Sequence, residues 1–497
     1  MSKIFITGIL LLMGITVIKA QVKVYSLEFD PRNYAIETAE ISGKTITYRV
    51  YKDIVYIKNP VDTKYQCLNF YVPTEYYEGK SIGNYNSENA PIFMPNNVGG
   101  YMPAEPGTAS IDQRTGKANA ALVALSRGYV IAYPGARGRT LQDQNGKYYG
   151  KAPADIVDLK AAVRYLKYNN KVMPGDAAKI ISNGTSAGGA MSVLLGGTGN
   201  NPDYTPYLRE LGAADTTDDI FAVSAYCPIT DLDHADAAYE WQFNGAKTYK
   251  KMMISQMTDY RIERKMVEGT LTEEETSLSD KLKLLYPDYI NSLELKDKYG
   301  NALTLNKEGE GSFKKYLESY IMASAQKKLD DGVDLSSFDW LTIKDEKVSA
   351  MDFDKYVQYT QRMKLPPAFD GLKLENAEND LFGTEDDNAK HFTRFAFDNS
   401  LAKATMAEAK IIKMMNPLYY IGENETQVAS HWRIRHGTID KDGSLATPVL
   451  IATKLQNLGY DVDLALPWET PHSGDYDLDE LFSWIENLIR DDRVSHK

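Results

Sequence analysis

Gly184-Thr185-Ser186-Ala187-Gly188 sets one serine between two glycines, each two residues away. The apolar run Ala178-Lys179-Ile180-Ile181 precedes it, and Ala190-Met191-Ser192-Val193-Leu194-Leu195 follows with the look of a helix. Strand, sharp turn and helix in that order read as a nucleophile elbow. The turn is so tight that the neighbours two residues either side must be small. In return the hydroxyl stands exposed at the carboxyl edge of a sheet, beside the free amides of a helix start. A phosphate loop also joins strand to helix, but it needs a lysine after its last glycine. Here Gly189 is followed by Ala190 and Met191, which excludes it.

A nucleophilic serine needs a base, and the base needs an acid that orients it. On this kind of scaffold both come later in the chain, acid before histidine. Six histidines permit elimination. His234 and His391 fall in a charged, helical block, His431 lies inside a strand, and His496 is in the tail. His436 follows a strand directly and reads as a structural support for the acid's loop. His472, in Thr470-Pro471-His472-Ser473-Gly474, lies just past the last strand, where a base must sit. Asp440 lies past the preceding strand and can hold the imidazole. The turn Asp440-Lys441-Asp442-Gly443 lacks the further ligand positions of a calcium loop, and no metal site is expected. For the oxyanion, the glycine pair in Asn97-Val98-Gly99-Gly100 lets a backbone N–H face the developing charge, together with that of Ala187. Gly100 is the favoured donor and Gly99 its near rival.

These residues need a sheet to carry them. Strand-like runs occur at 22–25, 45–50, 66–72, 90–95, 128–134, 178–181 and 220–226, with an amphipathic helix over 153–168. From about 229 to 414 the chain turns charged and helical, with runs such as Glu273-Glu274-Glu275. Strand patterns return at 431–435 and 462–467, each followed by a helical stretch. Alternating strands and helices mean a mostly parallel sheet covered on both faces. The fold class is therefore α/β, with a large and mainly helical insertion read as a lid. The expected domains are a sheet domain over 21–228 and 415–497 and a lid over 229–414.

The 497 residues are 43% hydrophobic and 25% charged, as in a globular protein with a sizeable core. A net charge of −12 without a long basic run argues against a nucleic-acid partner. Met1-Ser2-Lys3, then an apolar stretch over 4–18 ending at Ala20, reads as a secretory signal cleaved near Ala20, giving a periplasmic or secreted protein. No other apolar run is long enough to span a membrane, so no stable membrane insertion is expected. The two cysteines, Cys67 and Cys227, are expected to be small buried hydrophobes rather than a bridge.

Three stretches carry a specific resemblance: 91–103 (PIFMPNNVGGYMP), 184–190 (GTSAGGA) and 466–472 (LPWETPH). Together they resemble the bacterial tannases, serine esterases of the α/β-hydrolase superfamily that split galloyl esters. The resemblance runs over most of the mature chain, insertion included. It implies a triad at Ser186, Asp440 and His472 and oxyanion donors at Gly100 and Ala187. It also implies that Lys364, Glu378 and Asp442 hold the hydroxyls of the galloyl ring. The expected partner is thus a small phenolic ester, and no cofactor is called for. Other readings of the same residues are a feruloyl or general carboxylesterase, a peptidase, and a binding protein that has lost activity.

Overall fold

The structure is a computed structural model and describes residues 23–495, apart from 114 and 257–261. The expected export signal and His496 lie outside the described residues.

Four strands are buried along their whole length: β3 (Cys67–Pro73), β4 (Pro91–Pro95), β5 (Val130–Pro134) and β7 (Ala222–Tyr226). A strand with no polar face must be covered on both sides. By contrast, β1 (Ala35–Ile41) and β2 (Lys44–Val55) carry many exposed residues and form one edge. With β6 (Asp176–Thr185), β12 (His431–Arg435) and β13 (Asp461–Ala465) they make a nine-stranded sheet ordered β1-β2-β3-β5-β4-β6-β7-β12-β13. β1, β2, β3 and β5 pair antiparallel. From β5 to β13 every pairing is parallel. The helices Ala154–Tyr168, Ala187–Gly197 and Ala446–Asn457 are buried along most of their length and join these strands. This is the architecture of an α/β-hydrolase.

The expected strand at 22–25 does not form over its described residues. Tyr25 makes one backbone bond, to Lys58 O at 2.9 Å, and the segment is pinned by side chains instead. Leu27 and Phe29 are buried, and the Phe29 amide donates to Asn169 Oδ1 at 3.1 Å.

β7 and β12 lie side by side in register, Ala222 opposite His431 and Tyr226 opposite Arg435. The block over 229–414 therefore leaves and re-enters the sheet between adjacent strands. Its longest helices are Leu232–Phe243, Glu273–Lys283 and Ser312–Asp330. It also holds two hairpins, β8 (Thr248–Gln256) with β9 (Ile262–Thr270) and β10 (Leu341–Lys344) with β11 (Lys347–Met351). Their lysine-rich sequences have no long apolar run, so periodicity did not reveal them. The run Glu273-Glu274-Glu275 has a local cause. Thr272 and Glu275 form a capping box, and the acids face the positive end of the helix.

A buried polar knot holds the far end of this block. His391 lies 2.6 Å from Asp370 Oδ1 through Nδ1 and 2.8 Å from Ser400 Oγ through Nε2. Asp370 also accepts from the Phe392 and Thr393 amides, Thr393 Oγ1 and Asn379, and Ser400 bonds to the Ala402 backbone. The group repeats a serine–histidine–carboxylate chain, but its members are committed to pinning the loop over 390–402. Among the described residues no helix is long and apolar enough to cross a membrane.

Candidate active site

β6 ends at Thr185 and the next helix begins at Ala187, which isolates Ser186 in the turn. Ser186 has φ 63° and ψ −123°. Such a conformation costs a non-glycine residue about 1–3 kcal/mol and persists only where the surroundings enforce it. Here the Ser186 amide donates to Tyr226 O at 3.0 Å, and its carbonyl accepts from Ala190 at 2.9 Å and Ile229 at 3.2 Å. Crowding explains the flanking glycines. A Cβ on Gly184 would lie 2.2 Å from Gly188 O, and one on Gly188 would lie 2.7 Å from Asn96 Oδ1.

Asn96, buried at the end of β4, links the glycine pair to the elbow. Its Nδ2 lies 3.1 Å from Gly188 O, 3.2 Å from Ser192 Oγ and 3.3 Å from Asn183 O. Its Oδ1 accepts from the Val98 amide at 3.3 Å. Gly99 and Gly100 are exposed beyond it, Gly100 with φ +54°. Arg139 Nε donates to Gly100 O at 2.9 Å, and Tyr101 Oη donates to Ile229 O at 2.6 Å. Ala187 opens the helix after the elbow, where amides lack partners within the helix.

His472 and Asp440 come together from loops after β13 and β12. His472 Nδ1 lies 2.8 Å from Asp440 Oδ2. A proton on Nδ1 completes that bond and leaves the Nε2 lone pair free to act as a base. Asp440 is 1% exposed, and its Oδ1 accepts from the Asp442 amide at 2.8 Å. His436, also buried, packs against the acid with Nε2 3.4 Å from Asp440 Oδ2, and neither ring nitrogen makes a hydrogen bond among the described residues. Burial holds the His436 pKa below that of a free imidazole. Burial opposes the Asp440 charge, but His436, His472 and the Asp442 amide outweigh it and keep the carboxyl below the usual range. Burial likewise opposes a charge on His472, and Asp440 and Cys227 more than offset it, so its pKa is raised.

The histidine loop is clamped to the sheet. Asn183 Nδ2 donates to Asp475 Oδ1 at 3.0 Å, and Tyr226 Oη donates to Asp477 Oδ1 at 2.6 Å. Buried Arg433 on β12 also pairs with Asp477.

Of the residues expected to hold a ring, Lys364 and Glu378 line one cavity of about 640 Å³, with Met363, Pro366 and Pro367. Lys364 Nζ sits 3.8 Å from the Phe369 ring centre. Burial raises the Glu378 pKa, Lys364 and Arg139 pull it down, and Asp442 pushes it up, so the four charges share one field. Asp442 Oδ2 lies 3.9 Å from His472 Nδ1, on the His472 side of that field. Ser186 and His472 do not line the cavity.

Three neighbours escaped the sequence reading. Asn96 and Arg139 are set by long-range contacts, and Arg139 also reaches Asp380 at 2.6 Å, on the short helix that carries Glu378. Cys227 follows β7, the strand beside β6. Both cysteines are free and buried, as expected, but Cys227 Sγ lies 3.9 Å from His472 Nε2. Its place just past a strand end was the one available signal.

The chain is similar to solved structures over nearly its whole length. A tannase from Fusobacterium nucleatum shares 54% identity, covers 94% of this chain and all of its own, and superposes with a TM-score of 0.89. A tannase from Lactobacillus plantarum shares 45% identity over 93% of this chain and 100% of its own, with a TM-score of 0.89. A tannin acyl hydrolase in complex with ethyl gallate shares 45% identity over 93% of this chain and 99% of its own, with a TM-score of 0.87. The α/β-hydrolase family model described as BD-FAE matches residues 111–268. No match is found among curated proteins. With this identity over this length, the chain belongs to the tannase family of carboxylic ester hydrolases.

Proposed function

We propose that this protein is an exported serine esterase that hydrolyses galloyl esters through an acyl-enzyme. The observation that carries the reading is the His472–Asp440 hydrogen bond, in a sheet whose β6 ends in the strained Ser186 turn. Ser186 Oγ attacks the ester carbonyl as His472 Nε2 takes its proton. The Gly100 and Ala187 amides receive the oxyanion. The tetrahedral intermediate collapses, and the alcohol leaves with the proton from His472. Water, deprotonated by the same imidazole, then releases the acid and restores Ser186. Asp440 holds the tautomer and stabilises the imidazolium.

Residues 229–414 act as the lid over a hydrolase domain formed by 21–228 and 415–497. The acyl ring lies between the lid and the triad. Glu378 and Asp442 accept hydrogen bonds from ring hydroxyls, and Lys364 donates one. The ethyl gallate complex of a relative supports this choice of ring. A site built this way penalises rings without hydroxyls, because its own polar groups would be left unpaired.

The test is hydrolysis of methyl gallate, methyl ferulate and a simple nitrophenyl ester by the wild type, Ser186→Ala, Lys364→Met and Glu378→Gln. The expected result is a strong preference for the gallate, lost with Ser186→Ala. The two lid variants should lose gallate activity far more than nitrophenyl activity. Cleavage of the other esters but not the gallate would sink the galloyl pocket and leave a general carboxylesterase. Export is tested by sequencing the mature N-terminus, expected near Gln21.

A further inference from the structure

Among the described residues, two groups of side chains bring metal-ligand atoms within 4.8 Å of one another: Asp231 with Asp233 and His234, and Cys227 with the proposed acid Asp440 and base His472. The first group is already satisfied. Asp231 accepts from Tyr289, Asn416 and His234, and Asp233 accepts from Asn416 and Tyr419. Its carboxylates have their protein donors, and the group is an ion-pair lock.

The second group differs in its donor types. Cys227 is 1% exposed and unbridged; its thiol donates to Ser473 O at 3.4 Å and also lies 3.9 Å from the one imidazole nitrogen that no carboxylate occupies. Asp440 sits on the opposite nitrogen. We propose that Cys227 Sγ and His472 Nε2 form an inhibitory site for a thiophilic divalent cation such as zinc or cadmium.

The two donors are of the kind that class of ion prefers, with its remaining positions left to water. Zinc–sulfur and zinc–nitrogen bonds of about 2.3 and 2.05 Å set the two donors about 3.6 Å apart at a tetrahedral angle. The observed separation is 3.9 Å, and metal binding would exchange the thiol's bond to Ser473 O for the sulfur–metal bond. Asp440 then acts as the carboxylate behind a metal-bound histidine, fixing its tautomer and raising its basicity. Binding replaces the S–H proton by a sulfur–metal bond and releases that proton to solvent. The Nε2 lone pair becomes a metal bond, so it can no longer accept a proton from Ser186. Hard cations lack affinity for thiolate, so magnesium and calcium should not compete.

The functional readout rests on the proposed role of His472, whereas binding can be read without it. Zinc chloride is titrated into the full-length protein by calorimetry, and hydrolysis of methyl gallate is followed in parallel. Wild type, Cys227→Ser, Cys227→Ala, Cys67→Ser and His234→Gln are compared, each against its own metal-free activity. One equivalent of zinc should bind the wild type with proton release and loss of activity, and chelator should restore it. Either Cys227 substitution should weaken binding and inhibition by more than about tenfold. Cys67→Ser and His234→Gln should behave as wild type, and magnesium should leave activity unchanged. Zinc bound equally well by both Cys227 variants, no binding to the wild type, or equal inhibition by magnesium would overturn the proposal. Zinc binding that depends on Cys227 in a protein that cleaves no gallate would keep the metal site and remove the esterase reading instead.

Discussion

Replacing Asp440 with asparagine isolates the acid's role with almost no change in shape. The two carboxylate oxygens have different tasks. Oδ1 accepts from the Asp442 amide at 2.8 Å, and Oδ2 accepts from His472 Nδ1 at 2.8 Å with His436 Nε2 at 3.4 Å. An asparagine has one acceptor oxygen, so it can serve only one side. If the oxygen stays with Asp442, the side-chain NH₂ faces the imidazole and forces its proton onto Nε2. That tautomer cannot take the serine proton. If the amide flips, the NH₂ meets the Asp442 N–H and the turn loses its anchor. An equivalent substitution in another serine hydrolase triad lowers kcat about 10⁴-fold, which corresponds to about 5.4 kcal/mol of lost transition-state stabilisation. The same loss is expected here, with KM little changed. The carboxylate also raises the His472 pKa. Without it, the residual activity should persist to lower pH, because the imidazole stays neutral further down the scale. Steady-state hydrolysis of methyl gallate from acid to alkaline pH, with thermal unfolding as a check on folding, gives both quantities. A kcat within tenfold of the wild type on an unshifted pH profile would refute the reasoning.

Other perturbations test the scaffold. Asn96→Ala removes a buried amide that bridges Asn183, Gly188 and Ser192, and takes the side-chain acceptor from the buried Val98 N–H. Denaturant melts should show a loss of about 1–3 kcal/mol, and kcat should fall more than KM rises, because the glycine-pair loop and the elbow are no longer held in register. An unchanged melt would show that the bridge carries no stability. His234 stacks on Tyr289 with ring centres 3.5 Å apart and pairs with Asp231. Burial opposes its charge, but Asp231 and Asp233 raise its pKa from 6.5 to about 10. The folded state thus keeps a proton that the unfolded chain releases near neutrality. The stabilisation is complete below about pH 6.5 and is lost as pH climbs towards about 10, by up to about 1.4 kcal/mol per pH unit. His234→Phe should flatten the stability curve in that window. An identical slope in wild type and variant would remove His234 as its cause.

The elbow was legible from the sequence because its determinants are local. Gly184 is dictated by crowding against Gly188 four residues on, and the strand before and the helix after announce themselves by apolar runs; the crowding of Gly188 by Asn96 and Val98 is long-range and was not legible. His472 and Asp440 could be singled out because the chain order of this fold confines each to a loop after a late strand. The 22–25 segment misled for the opposite reason. It has the alternation of a strand, but over its described residues it makes one backbone bond, from Tyr25 to Lys58 O, and the chain just beyond follows side-chain anchors. The hairpins β8–β9 and β10–β11 were hidden because polar, charge-rich strands carry little hydrophobic signal.

What the sequence determined by itself was the type of fold, the serine turn between β6 and its helix, and the short list of proposed partners for that serine. What only the tertiary structure decided was which distant groups meet. β7 and β12 are adjacent in the sheet although the whole 229–414 block separates them in the chain. β13 lies on the other side of β12, so the loops after β7 and β13 set Cys227 against His472, and the insertion folds back so that Arg139 bridges the Gly100 loop and the helix of Glu378. Strand order across a sheet is set by packing of the whole core, so contacts between strand ends cannot be read from spacing along one chain.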